Sequence, residues 1–228
     1  MAGAGGCGVG CMLWPGCLVG VVLLSDPIVK QGVRILRPCE ATALIDTIPK
    51  HHHGVMFKAL LYSGMRYVEM QRLQEHPEWL TGSFIHLPEV ATKQGRKKSR
   101  DGRQTRSQVE RWVRLNPVGL EVIKQYLKLG EQLPGRYQSW RDNLVRWAEH
   151  AGIGSEGMSV KTTRKTWESW LITVYKAHVP DVLLSQGHTY EVALQSYWGL
   201  PFTETDKGEM LAYVGQWVGG PLKEGGAE

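Results

Sequence analysis

The chain has 228 residues, 42% hydrophobic and 21% charged, a balance that suits a soluble globule with a real core, as one domain or one domain with appendages. Its 27 Lys and Arg against 22 Asp and Glu leave a net charge of +5 and a pI near 9.0, which permits nucleic-acid binding without proving it. All four cysteines (Cys7, Cys11, Cys17, Cys39) lie near the start, at spacings that fit no paired Cys-x-x-Cys zinc pattern, so no disulfide framework is read and a reducing, cytoplasmic setting is expected.

Residues 1–25 carry no charged side chain and are rich in Gly, Val, Leu and Cys. No basic segment precedes the apolar run, Pro15 and several glycines interrupt any helix, and Cys17 to Leu24 is too short to cross a bilayer. Residues 1–38 therefore read as a poorly ordered extension, with no membrane partner. A short helix is expected from Glu40 to Ile48, then a polar break at His51-His52-His53-Gly54, read as a turn rather than a metal site. An apolar helix follows from Val55 to Ser63, Gly64 stops it, and another starts near Arg66 with Val68 and Leu73 on one side.

Ser83 to Pro88 and Arg111 to Leu115 alternate like strands and suggest a small antiparallel sheet. The connection between them is basic. From Lys93 to Arg114 there are nine Lys or Arg against Asp101 and Glu110, a local charge of +7 that fits either a solvated loop or a phosphate-contacting arm. Helices are expected over Gly119–Leu129 and Gln138–Ala151, the second with Trp140, Leu144, Trp147 and Ala148 on a core face. Gly152 and Gly154 mark a loop. Ser159 is read as the N-cap of a helix reaching about Ala177. Val182–Gln186, Glu191–Tyr197 and Glu204–Trp217 complete the helices, and residues 219–228 read as a flexible tail. The predicted class is α+β, mostly helical, with a small antiparallel sheet.

Three blocks carry candidate chemistry: Ser63-Gly64-Met65-Arg66 with Glu69, Lys161-Thr162-Thr163-Arg164, and Gly187-His188 followed nine residues later by Tyr197. In that order they resemble the catalytic domain of a tyrosine recombinase (phage integrase family), over roughly residues 40–205. The resemblance implies a site-specific recombinase or integrase. Such an enzyme cleaves and rejoins DNA through a 3′-phosphotyrosyl intermediate, with no metal and no ATP. Tyr197 matches the nucleophile, and Tyr190 is a rival by residue type. Arg66 and Arg164 match the phosphate-binding arginines. A guanidinium suits that duty because its planar fork donates two hydrogen bonds and stays charged. Glu69 matches the acidic residue that supports the site.

Thr92-Lys93-Gln94-Gly95 resembles the family's Thr-Lys-x-Gly, which makes Lys93 the implied acid for the leaving 5′ oxygen, with Lys97 and Lys98 as fallbacks. Arg96, Lys97, Lys98, Arg100, Arg103 and Arg106 are read as DNA-contacting cations. Where the family commonly has His-x-x-Arg, this chain has Lys161 before Arg164, as in a subset of archaeal virus and plasmid integrases of mobile genetic elements. Lysine donates to phosphate but accepts no proton at neutral pH unless burial neutralises it, so the base for Tyr197 is left open. His188 matches the family's fourth position.

The resemblance implies double-stranded DNA as partner and four protomers on two duplexes, with Glu204–Trp217 a candidate for packing on a neighbour. The expected organisation is the extension 1–38, a catalytic domain 39–218 standing alone without the family's N-terminal DNA clamp, and the tail. Two alternatives remain beside recombination: a catalytically degenerate DNA-binding remnant, and nicking and relaxation alone, resembling a type IB topoisomerase.

Overall fold

The computed structural model describes residues 26–89, 110–197 and 199–218. Its first feature departs from the sequence reading. Residues 26–38, expected in a poorly ordered extension, include a hairpin of β1 (Ile28–Lys30) and β2 (Val33–Ile35). Ile28, Val33, Ile35 and Leu36 are core residues, so the folded unit includes this hairpin. The turn residues Gln31 and Gly32 both take positive φ, 52° and 68°, the left-handed pair that lets a two-residue turn follow the strand twist. Residues 1–25 lie outside the described residues, as does the tail 219–228.

Three helices follow: α1 (Pro38–Thr47), α2 (His51–Ser63) and α3 (Tyr67–Glu75). The histidine run is not a break. His51, His52 and His53 form the first turn of α2, and His53 packs against Trp140 and Trp147 with ring centroids 6.0 and 5.3 Å away. On α3 the buried apolar face runs through Tyr67, Met70 and Leu73, whereas Val68, expected beside Leu73, is exposed.

The expected small sheet is present. After a 3-10 turn at Pro77–Trp79 come β3 (Leu80–Thr81), β4 (Phe84–Leu87) and β5 (Arg111–Arg114), antiparallel in the order β3-β4-β5. Alternation sets its buried face, with Ile85 opposite Val113 in the core while Trp112 points outward. The second half is helical: α4 (Pro117–Leu127), α5 (Tyr137–His150), α6 (Thr162–Val174), α7 (Val179–Gln186), α8 (Tyr190–Tyr197) and α9 (Glu204–Val214).

The core is organised round α6, which is buried from Thr162 to Ile172 apart from the half-buried Lys165. A helix buried on every side shows little polar-apolar periodicity, and its polar groups need partners from neighbours. The β1–β2 hairpin supplies some. Leu36 N donates to Thr166 Oγ1 at 2.9 Å, and Trp170 Nε1 donates to Leu36 O at 3.0 Å. α6 starts at Thr162 with Lys161 in the cap position, and Ser159 acts one step earlier by accepting Lys161 N at 3.2 Å.

α9, expected as a candidate for packing on a neighbour, packs here on its own chain. Met210, Val214 and the following Trp217 are buried, Trp217 Nε1 donates to Arg114 O at 3.0 Å, and Asp206 forms a buried ion pair with Arg37.

Candidate functional site

Five of the residues singled out in the sequence meet in one cluster, delivered by the ends of four helices. Gly64 terminates α2 at φ +61°, and two residues later Arg66 caps α3. A Cβ at position 64 would lie 2.6 Å from Trp167 Cδ1 and 2.7 Å from Gln186 Oε1, so only glycine allows the chain this close to α6 and α7. Glu69 sits one turn into α3. It accepts from Arg66 N at 2.8 Å and from Arg66 Nη1 at 2.7 Å.

Arg164 and Glu168 come from α6, one turn apart on the same face. His188 follows the C-cap of α7. Gly187 takes φ +66°, and His188 N donates back to Leu183 O at 3.0 Å, a closure that fixes the histidine as the chain leaves the helix. Tyr197 is the last residue of α8.

The cluster has two layers. Glu69 is buried and receives a bidentate pair from Arg111, at 2.9 Å from Nη1 and 2.7 Å from Nη2, in addition to Arg66. Burial alone would raise its pKa. The Arg111 hydrogen bonds and charge, with Arg66 and Arg164, overcome that and hold the carboxyl at about 2. Arg66 keeps its side chain 33% exposed and is the cation of this layer that faces solvent, since Arg111 is buried.

The deeper layer holds Arg164, His188, Glu168 and Tyr197. Arg164 donates through Nη1 to Gly64 O at 2.7 Å, and through Nη2 to Gln186 O and to His188 Nε2, the latter at 3.0 Å. Burial, then repulsion from Arg66, lowers its pKa to about 10, so it stays charged at neutral pH. A guanidinium carries only donors, so Nε2 of His188 must accept. The ring proton then sits on Nδ1, 2.7 Å from Glu168 Oε1. The imidazole stacks on Tyr197 with centroids 6.1 Å apart and planes at 16°. Burial and the neighbouring Glu168 push the phenol's pKa well above its ordinary value, with Arg164 and Arg66 pulling the other way.

Tyr197 is 4% exposed, so the site as it stands is closed. A phosphate reaching Arg66 would meet a cationic surface with the phenol still covered. Lys161 is exposed at the head of α6, and its charge acts on Lys165, whose Nζ donates to Lys30 O at 3.1 Å in the hairpin. Tyr190 starts α8 and is 56% exposed, about 10 Å along the helix from Tyr197. Lys93, Arg96, Lys97, Lys98, Arg100, Arg103 and Arg106 lie outside the described residues. Among the described residues no group of three or more His, Cys, Asp or Glu is placed to hold a metal ion. Nor is any helix there long and apolar enough to cross a membrane.

Two members of the cluster escaped the sequence reading. Arg111 reads in the sequence only as the start of a strand and as one charge of the basic stretch. Glu168 gave one available signal, its four-residue spacing after Arg164 on a helix. No family model, curated protein or solved structure matches this chain.

Proposed function

We propose that this chain is a DNA strand transferase of the tyrosine-recombinase kind, acting on double-stranded DNA without metal or ATP. One observation carries the reading. A tyrosine, a histidine and three arginines from segments as far apart as residues 64–69 and 188–197 converge on one cluster, with Arg66 at its solvent side. Tyr197 attacks phosphorus and becomes joined to a 3′ phosphate, freeing a 5′ hydroxyl. Arg66, with Arg164 below it, balances the charge that grows on the non-bridging oxygens, a task for which one well-placed donor is worth about 10²–10³ in rate. The bond energy retained in the phosphotyrosyl link serves rejoining. Integration or excision of a mobile element by four protomers in the cytoplasm is the fullest form of this activity, and plasmid relaxation the simplest.

A second reading is a DNA-binding protein that keeps this architecture without turnover. It is favoured by the burial of Tyr197 and by Arg164 spending its donors on Gly64 O, Gln186 O and His188. Incubation with nicked suicide DNA in EDTA separates the two. A denaturing gel is expected to show a covalent protein–DNA band for wild type and none for Tyr197→Phe. Retarded DNA in a native gel with no covalent band from wild type selects the silent binder.

A further inference from the structure

Glu168 has a side chain with 0% exposure. Its Oε1 receives the Nδ1 proton of His188 at 2.7 Å. The other oxygen, Oε2, is buried with no hydrogen-bond partner of ordinary geometry among the described residues. Buried carboxylate oxygens are nearly always satisfied, so a bare one beside a reactive group calls for a use. The Tyr197 ring stacks on the His188 ring that Glu168 holds, which brings the phenol and this carboxylate to the same imidazole.

Other groups are poorly set to take the phenol's proton. His188 already carries a proton on Nδ1, and its Nε2 lone pair is taken by Arg164. Arginine has no lone pair to offer. Lys161 is exposed at the head of α6.

We propose that Glu168 Oε2 is the proton acceptor for Tyr197 as it attacks DNA, with Oε1 fixing the His188 tautomer; this rests on the strand-transferase reading above. The Oη–H bond of Tyr197 breaks as the Oη–P bond forms, and the proton passes to a lone pair on Oε2. The P–O5′ bond breaks with its electron pair on the 5′ oxygen, which takes a proton from a general acid or water. Nothing is oxidised or reduced. On rejoining, the proton returns from Glu168 to the phenol. The base then comes from inside the protein, on α6, rather than from the solvent side.

Single-turnover cleavage of nicked suicide DNA in EDTA tests this with the full chain. Glu168→Gln keeps the shape and can still accept from His188 but takes no proton. It is expected to form the covalent adduct about 10²–10⁴-fold more slowly, with unchanged DNA affinity. Fluorotyrosine at position 197, a more acidic phenol, is expected to restore part of that loss. A Gln rate within threefold of wild type, or a loss that fluorotyrosine leaves untouched, overturns the acceptor role. Should the Gln protein fail to fold by circular dichroism, Glu168→Asp decides. Its carboxylate is withdrawn by one methylene, at least a tenfold loss is expected, and the wild-type rate overturns the proposal. Absence of adduct from wild type sinks the strand-transferase reading and this step with it, whereas an adduct at equal rates in wild type and Gln sinks this step alone.

Discussion

Glu69 ties the start of α3 to β5, since one carboxylate accepts from both Arg66 and Arg111. Its folded pKa of about 2 lies below the ordinary 4.5. A depressed carboxyl contributes stability that is present above the unfolded value and lost as pH falls through the folded one. The window is therefore pH 4.5 down to 2, and the contribution is on the order of 3 kcal/mol. Urea melts across that range should show the unfolding free energy falling in wild type and flatter in Glu69→Gln. Removing the other partner is harsher. Arg111→Ala leaves a buried carboxylate facing Arg66 alone, and a loss of about 3–5 kcal/mol is expected in the same melts. A change below 1 kcal/mol would mean the pair is not formed in solution.

Among the elements, α6 and the end of α2 decide whether the groups of the cluster meet. Gly64 serves three purposes: its φ of +61° ends α2, its missing Cβ admits Trp167 and Gln186, and its carbonyl receives Arg164. Gly64→Ala should cost about 1–3 kcal/mol from strain and crowding, read as a lower melting temperature. Covalent adduct should fall further than stability alone explains, because both arginines hang on this turn. Much of this layer was legible in the sequence. Gly64 as a helix stop, the core face of Trp140, Leu144 and Trp147, and the strands around residues 84–87 and 111–114 all follow from periodicity and glycine placement. The hairpin was not, because Gln31 occupies a turn position where Asn, Asp or Gly gives the usual signal. Glu168 was hidden for a different reason. It lies in a helix buried all round, where a charged residue reads as surface until its partner His188, twenty positions away, is known to meet it.

At the scale of the whole molecule, the chain closes on itself. The start of α1, just after the hairpin, and α9 near the described end are joined through the buried Arg37–Asp206 pair, and Tyr197 lies on α8, the helix just before α9. Asp206→Asn should therefore lower stability by about 3–5 kcal/mol through the unpaired buried Arg37. Limited proteolysis should then cut first near residues 199–203, where Arg37 also reaches Pro201 O at 3.3 Å. Cleavage elsewhere first would show that α9 is anchored mainly by Met210, Val214 and Trp217. This layer was the least legible in the sequence, since contacts between residues 37 and 206 leave no local pattern.

In the proposed strand transfer, Tyr197 becomes covalently joined to DNA. Its most direct test is mass spectrometry of the protein after incubation with suicide DNA, nuclease trimming and proteolysis. The expected result is a residual nucleotide mass on the peptide spanning both tyrosines of α8, assigned by fragmentation to Tyr197. A nucleotide on Tyr190, or no adduct on any peptide from a protein that demonstrably binds the DNA, would contradict it.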